Sequence, residues 1–323
     1  MFDLDALRQA ADLIHQSVPP TPQHRWPLLA QRLGCEVWVK HENHTPAGAF
    51  KVRGGVLYVN ELLKHEPKVP GLVTATRGNH GISLAMAARK AGLRLQVLVP
   101  EGNSTEKNAA MRACGAEVTE FGRDFDTARQ KAAEFAEANG WHFVPSLHPD
   151  LIRGVATYAL ELLEAVPDLR RVYVPIGLGS GICGMIRTRD LLGLATEIIG
   201  VVSSAADAYA LSVEQGRIVC TETADTFAEG MACRIPAPEA LKIIREGAAR
   251  IVRVDDAAIR RAIVVLHEDT HNLAEGAGAA ALAAAVQECE RNRGERIAVV
   301  LSGANIDRRL LASILAEPTG AAA

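Results

Sequence analysis

The stretch RVYVPIGLGSGICG, residues 171–184, joins a run of apolar residues to a glycine-rich turn and then to a helical pattern. A β-strand followed directly by a glycine loop and a helix is typical of proteins with parallel sheets. Short β-branched runs alternate with alanine-rich amphipathic segments along the rest of the chain. The sequence therefore predicts an α/β fold in which parallel-rich sheets are flanked by helices.

Clusters of β-branched residues predict eight strands. They lie at residues 36–40, 71–74, 96–99, 117–120, 171–174, 198–202, 250–252 and 297–301. Capping residues mark three helices clearly, at residues 81–91, 104–114 and 257–268. Three strand and helix steps fall together between Gly71 and Ser146, and they predict a small domain at 71–146 that is inserted into a large domain at 1–70 and 147–323.

Composition excludes several classes of protein. The net charge of −3 comes without a long basic run, so nucleic acid is not an expected partner. The N-terminus lacks the cationic start and apolar core of a secretory signal, and apolar runs such as residues 277–286 are too short to span a membrane. We expect a cytoplasmic protein with no membrane role. Scattered cysteines without a CxxC pair predict reduced, buried thiols at Cys35, Cys114, Cys183, Cys220, Cys233 and Cys289.

The glycine turn at residues 177–184 is a candidate anion site. Backbone N–H groups at the start of a helix point at one place, and the helix dipole favours negative charge there. Gly179, Gly181 and Gly184 also match the dinucleotide pattern G-x-G-x-x-G. The next predicted strand ends in Ser203 and Ser204, without the acidic residue that binds a ribose. The pattern favours a single phosphate, and an NAD-binding protein or glycines needed only for packing remain the alternatives.

Lys51 is the candidate chemical group of a second motif, AGAFKVRG at residues 47–54. A flexible Ala-Gly pair precedes it, and Phe50 and Val52 flank it. Apolar neighbours can desolvate an amine and prepare it to form a Schiff base. A site that binds pyridoxal phosphate (PLP) needs at least a phosphate-binding loop and such a lysine.

Five motifs in order resemble the fold-type II PLP enzymes, in particular the threonine dehydratase, serine dehydratase and serine racemase family. The matching segments are residues 50–54 (FKVRG), 78–80 (GNH), 177–181 (GLGSG), 275–279 (EGAGA) and 302–305 (SGAN). The resemblance extends from Thr21 to Asn305. It implies a two-lobed α/β fold, PLP as the cofactor and an amino acid as the substrate. It also implies a homodimer.

The resemblance implies a role for each motif residue. Lys51 would hold PLP as a Schiff base and later take the Cα proton, with Phe50 against the cofactor ring. Asn79 would bond the ring hydroxyl, and Ser302 would face the pyridine nitrogen. The phosphate would be held by Gly177, Leu178, Gly179, Ser180 and Gly181. The substrate would contact Thr76, Arg77, Gly78, Asn79 and His80.

The activity implied is the dehydration of a β-hydroxy amino acid to a 2-oxo acid and ammonia. Threonine, serine, phenylserine and 3-hydroxyaspartate are all chemically possible substrates. A hydroxyl at Ser302, unlike a carboxylate, does not force protonation of the pyridine nitrogen, and this favours prompt elimination. An amino acid racemase and a β-replacement enzyme remain alternatives.

Three departures from the family pattern stand out. Arg77 replaces a small residue, which is the second acid/base of the racemase, and the segment at residues 153–157 reads RGVAT in place of the usual AGQGT. A metal-binding glutamate expected near Ser203 is absent. HEDTH at residues 267–271 matches the zinc motif H-E-x-x-H by chance, and HENH at 41–44 is a polar strand end, so no metal is expected.

Arg77 is the departure that bears most on substrate choice, and three roles remain open for it. Its side chain can lie in solvent, bind a substrate carboxylate through its planar fork, or stack on an aromatic substituent.

Overall fold

The structure is a computed structural model that describes residues 2–317. It has two compact units. The first comprises residues 2–19 and 45–157, and the second residues 20–44 and 158–317.

The helices follow each other along the chain as α1 (Leu4–His15), α2 (Pro27–Leu33), α3 (Lys51–His65), α4 (Asn79–Ala91), α5 (Thr105–Ala113), α6 (Phe125–Asn139), α7 (Pro149–Ala165), α8 (Ser180–Leu191), α9 (Ala208–Gln215), α10 (Pro238–Gly247), α11 (Asp256–Thr270), α12 (Gly276–Gln287), α13 (Cys289–Asn292) and α14 (Arg308–Leu315). The strands are β1 (Gln23–Arg25), β2 (Glu36–His41), β3 (Leu72–Ala75), β4 (Leu95–Val99), β5 (Glu117–Glu120), β6 (His142–Phe143), β7 (Arg171–Pro175), β8 (Glu197–Ser203), β9 (Arg250–Val254) and β10 (Arg296–Leu301).

Each unit is built around one sheet. The second unit has the strand order β1-β2-β10-β7-β8-β9, in which β1 is antiparallel to β2 and the other pairs are parallel. The first unit has the parallel order β5-β4-β3-β6. The predicted α/β class with parallel-rich sheets is therefore confirmed. All eight predicted strands are present.

The core of the second unit shows why its sequence adopts this arrangement. Strand β10 reads RIAVVL, and its last five residues are buried. A strand buried on both faces must be covered by other elements of the fold. Helix α12 (GAGAAALAAAVQ) packs closely against this core because most of its side chains are small. Every residue of α12 from Gly276 to Ala285 is buried.

The first unit is larger than the small domain that the sequence predicts at 71–146. It also contains α1 and α3, which pack on the four-stranded sheet through α4. The reason is a close approach of two helices, since a methyl group on Gly55 of α3 would lie 2.2 Å from Oγ of Ser83 in α4. Sequence spacing alone does not reveal such a contact.

Two further expectations can be compared with the structure. None of the helices within residues 2–317 has the length and apolar character needed to cross a lipid bilayer. The six cysteines are unpaired. Cys35, Cys183 and Cys233 are buried as expected, whereas Cys114 and Cys289 are only half-buried. The prediction of burial is wrong for Cys220, which is exposed because it lies in an irregular segment between α9 and α10.

Candidate active site

The glycine loop at residues 177–181 connects β7 to α8 in the second unit. Gly179 is the N-cap of α8 and has a left-handed backbone with φ of 104°. A methyl group on Gly177 would lie 2.2 Å from the carbonyl oxygen of Gly230, so this position admits no side chain. The first N–H groups of α8 have no partner within the helix and point toward the loop. The predicted loop geometry, a glycine turn that leads from a strand into a helix, is therefore present at Gly177, Leu178, Gly179, Ser180 and Gly181.

Two tyrosines bind carbonyl oxygens of this loop. Tyr209 donates a hydrogen bond of 2.8 Å to the carbonyl oxygen of Leu178, and Tyr158 donates one of 3.0 Å to that of Gly181. Because these carbonyl dipoles already have partners, the loop is held with its donors available for an anion. Burial raises the pKa of Tyr209 well above its usual range, so its hydroxyl stays a donor.

Ser302 lies at the same edge of this sheet as the glycine loop. It directly follows β10, which pairs in parallel with β7, and the carboxyl ends of neighbouring parallel strands meet at one edge. Ser302 is only 4% exposed, and its hydroxyl has no hydrogen-bond partner among residues 2–317. A hydroxyl without a partner at this edge can form a hydrogen bond with a ligand atom such as a ring nitrogen.

The motif EGAGA at residues 275–279 begins α12 and supports this edge. A methyl group on Gly278 would lie 2.2 Å from the carbonyl oxygen of Gly303. Likewise, a methyl group on Gly230 would lie 2.9 Å from the Cβ of Ala277. The backbone of Glu275 donates a hydrogen bond of 3.1 Å to the carbonyl oxygen of Gly303. The motif at residues 275–279 therefore contacts the motif at 302–305 directly, and Gly230 lies between it and the glycine loop at 177–181.

Lys51 belongs to the first unit and is the first residue of α3. Its side chain is half-buried, and its Nζ lies 4.5 Å from the centre of the Phe50 ring. The preceding turn is fixed by Thr45, whose Oγ1 donates 2.9 Å to the carbonyl oxygen of Ala49 and accepts 3.0 Å from its N–H. Lys51 therefore stands at the start of a helix, beside an aromatic ring.

Residues 76–80 connect β3 to the first turn of α4 in the same unit. Thr76 is buried, and its Oγ1 accepts a hydrogen bond of 3.0 Å from the N–H of Gly78. Asn79 and Arg77 are half-buried. The helix begins at Asn79, two residues before the predicted start, so Asn79 and His80 lie in its first turn.

His80, like Thr76, is buried. It is 8% exposed, and its Nε2 has no hydrogen-bond partner within the described chain. Burial lowers the pKa of His80 to about 3, and the positive charge of Lys51 acts in the same direction. The imidazole is therefore neutral at physiological pH and lies close enough to Lys51 to sense its charge.

The histidine patterns that resemble metal sites have other structures. His267 is in α11, and His271 is the residue after its end, with a left-handed φ of 53°; the two rings lie edge to face with centroids 6.4 Å apart. His41 and His44 stack with centroids 4.8 Å apart at the end of β2. Within residues 2–317 no group of three or more His, Cys, Asp or Glu side chains is arranged to hold a metal ion.

The second unit thus has a glycine loop at the start of α8 and the Ser302 hydroxyl at the same edge of its sheet. The first unit has an amine at a helix start beside an aromatic ring. The sequence did not predict the roles of Tyr158 and Tyr209, whose only signal is a polar hydroxyl within an otherwise apolar helix.

Comparison with known proteins agrees with these features. The family described as "Pyridoxal-phosphate dependent enzyme" matches residues 14–303. An L-threonine ammonia-lyase from Geobacter sulfurreducens is 33% identical over 98% of this chain and 78% of that protein. A biosynthetic L-threonine dehydratase from Salmonella typhimurium is 34% identical over 91% of this chain, which spans only 58% of that longer relative.

Solved structures show the same likeness. The processed form of threonine deaminase isoform 2 from Solanum lycopersicum has a TM-score of 0.89 at 29% identity and covers 97% of this chain and 88% of its own. A PLP-dependent aspartate racemase has a TM-score of 0.91 at 26% identity, covering 96% of this chain and 97% of its own.

These matches decide for PLP and against the alternative of an NAD-binding protein. The chain belongs to the family of pyridoxal-phosphate dependent enzymes, in its fold-type II group of threonine and serine dehydratases and serine racemases.

Proposed function

We propose that the protein is a dehydratase, or ammonia-lyase, that converts a β-hydroxy amino acid into a 2-oxo acid and ammonia. The observation that carries the proposal is the likeness to the Geobacter sulfurreducens L-threonine ammonia-lyase across nearly the whole chain. The neutral hydroxyl of Ser302 supports it, because elimination needs no deep electron sink at the ring nitrogen.

Each motif residue has a role in this proposal. Lys51 would hold the cofactor covalently and would take the Cα proton on its Nζ. Phe50 would pack on the cofactor ring and Asn79 would bond its hydroxyl. The glycine loop at residues 177–181 would hold the phosphate, and Ser302 would face the ring nitrogen. Bound PLP supplies the electron sink that makes the Cα–H bond acidic.

The substrate side of the proposal uses residues 76–80. Helix N-termini bind carboxylates, and the first turn of α4 begins in this loop. After the Cα proton moves to Nζ of Lys51, the Cβ–O bond breaks, and the leaving hydroxyl takes that proton back from Nζ and departs as water. The free enamine then takes up one water and releases ammonia, so the net products are the 2-oxo acid and ammonia.

The test is an assay of the holoenzyme with L-threonine, L-serine, phenylserine and 3-hydroxyaspartate. We expect equal amounts of 2-oxo acid and ammonia, and no production of the D-isomer. Appearance of the D-amino acid without 2-oxo acid would favour the racemase alternative instead, and no turnover of any of the four would reject the proposal.

Lys51→Ala tests the role of the lysine. We expect loss of turnover and of the visible absorbance of the bound cofactor, with an unchanged circular dichroism spectrum. Lys64→Ala is the matched control, because Lys64 lies on the same helix with a side chain 60% exposed. Activity retained in Lys51→Ala would contradict the assignment.

We also propose, from the resemblance, that the protein acts in the cytoplasm as a homodimer. Sedimentation equilibrium of the holoenzyme at micromolar concentration tests the second part, and a single species with the mass of one chain would reject it.

A further inference from the structure

Arg77 is an unpaired cation within the substrate loop. Within the described residues 2–19 and 45–157, it is the one arginine that has neither a hydrogen-bond nor an ion-pair partner. The half-buried guanidinium of Arg77 has five N–H donors, no acceptor and a positive charge. An anion is the partner that would accept hydrogen bonds from these donors and balance the charge.

The surroundings of Arg77 favour negative charge further. Gly78, the next residue, is the N-cap of α4, so the positive end of that helix dipole lies beside it. The side chain of Lys107 packs against the same glycine, since a methyl group on Gly78 would lie 2.5 Å from its Cδ. Lys107 therefore brings a second positive charge to this loop.

His80 gives independent support for a ligand at this loop. It is more than nine-tenths buried, and its Nε2 has no partner within residues 2–317. Buried polar atoms nearly always have partners, so an orphaned one next to a helix N-terminus indicates that a ligand supplies the missing group. Arg77 is therefore in a loop that is built to be completed by an anionic ligand.

We propose, on the basis of the dehydratase function above, that Arg77 is a specificity-determining residue that binds a second carboxylate, carried on Cβ of the substrate. The favoured substrate class is the 3-hydroxy dicarboxylic amino acid. The planar fork of Arg77 pairs with this carboxylate by two charge-assisted hydrogen bonds. For 3-hydroxyaspartate, the loss of one water and the uptake of another yield oxaloacetate and ammonia.

The kinetic test compares 3-hydroxyaspartate with L-serine, L-threonine and phenylserine in the wild-type holoenzyme and in Arg77→Ala. We expect the ratio of kcat/KM for 3-hydroxyaspartate to that for serine to fall about 10- to 100-fold, as for loss of a charged hydrogen bond. Arg77→Lys keeps the positive charge but lacks the planar guanidinium. Its ratio of kcat/KM for 3-hydroxyaspartate to that for serine should lie between the ratios of the wild type and Arg77→Ala. Arg123→Ala removes the same charge from a side chain that is 93% exposed, and should leave the ratio unchanged.

Three kinetic outcomes would overturn the inference. An equal loss for all four substrates would place Arg77 on the α-carboxylate, and a loss for phenylserine alone would indicate a cation–π contact. Unchanged kcat/KM values for all four substrates would place the side chain in solvent.

Calorimetric titration of each holoenzyme with succinate separates this inference from the proposed function. Succinate undergoes no elimination, so its binding does not depend on turnover. We expect weaker binding to Arg77→Ala than to the wild type or Arg123→Ala. If no amino acid is turned over, the dehydratase proposal fails, but succinate binding still tests the role of Arg77. Equal succinate affinities in the wild type and Arg77→Ala would reject the carboxylate contact.

Discussion

Ser83 donates a hydrogen bond of 2.7 Å from its Oγ to the carbonyl oxygen of Lys51. Ser83 is fully buried in α4, and Lys51 is the first residue of α3. The bond therefore links the start of the helix that carries the lysine to the helix that begins at Asn79. The two candidate site segments of the first unit are held in a fixed relation by helix packing rather than by loops.

Gly55→Ala tests this packing. Its new methyl group would lie 2.2 Å from Oγ of Ser83 and 3.1 Å from the Ser83 backbone, so the helices must separate. We expect the free energy of unfolding to fall by about 1–3 kcal/mol, although alanine is the better helix former. Urea denaturation measures the change. The same substitution in a Ser83→Ala background should cost less, and an equal cost in both backgrounds would show that the two residues are not coupled.

Gly177→Ala tests the phosphate cradle. The methyl group would lie 2.2 Å from the backbone oxygen of Gly230, so the loop must move and its N–H groups lose their common direction. We expect PLP affinity, measured by fluorescence titration of the apoenzyme, to fall at least tenfold. Gly193→Ala is the control at the other end of α8. Its φ of 64° makes alanine cost about 1 kcal/mol of stability, but its surroundings are open, so cofactor affinity should stay unchanged. Equal PLP affinities in the two variants would argue against the cradle.

The sequence predicts the buried strands well because their β-branched runs are local signals. It misses β1 at Gln23–Arg25 and β6 at His142–Phe143. Strand β1 is polar throughout and is defined only by its pairing with β2, where Gln23 lies opposite Lys40. Strand β6 has two residues, too few for any periodic pattern. Strands of this kind depend on hydrogen bonds to distant segments, which a local reading cannot detect.

In the candidate site, too, local features can be predicted from the sequence, whereas contacts between distant segments cannot. The glycine motifs are visible in the sequence because close backbone approach requires glycine, as at Gly177 and Gly278. The hydroxyl of Tyr209 reaches Leu178 across 31 positions of sequence, and nothing local to Tyr209 indicates that contact. The buried Nε2 of His80 is likewise a property of packing. The sequence reveals the candidate binding groups more clearly than the groups that hold them in place.

Ser302→Asp tests the expected position of Ser302 at the ring nitrogen. A carboxylate there would favour a protonated nitrogen and deepen the electron sink, so we expect slower elimination and a rise in absorbance at longer wavelength. Ser302→Ala is the control, because it removes the hydroxyl without adding charge and should not produce the new absorbance. The assignment would be wrong if both variants matched the wild type in kinetics and spectrum.

His41 makes the second unit sensitive to acid. Its Nε2 accepts a hydrogen bond of 3.0 Å from Nε1 of Trp26, so the neutral ring carries its proton on Nδ1, which lies 3.3 Å from Oδ1 of Asn43. A second proton would have to enter on Nε2, facing the indole N–H. Burial lowers the pKa of His41 to about 3, and the nearby His44 contributes.

The folded state therefore binds this proton less readily than the unfolded chain, in which a histidine has a pKa of about 6.5. The stabilisation by neutral His41 is complete above pH 6.5 and is lost progressively as the pH falls toward 3. Each pH unit in this window costs at most about 1.4 kcal/mol for this group. We expect urea midpoints at pH 7, 6, 5 and 4 to decrease more steeply in the wild type than in His41→Gln. In His41→Gln the urea midpoint should still decrease with falling pH, though less steeply, because burial also lowers the pKa of His80 to about 3. His65→Gln alters an exposed histidine and should keep the wild-type slope. If His41→Gln also kept the full slope, His41 would not be the group that resists protonation.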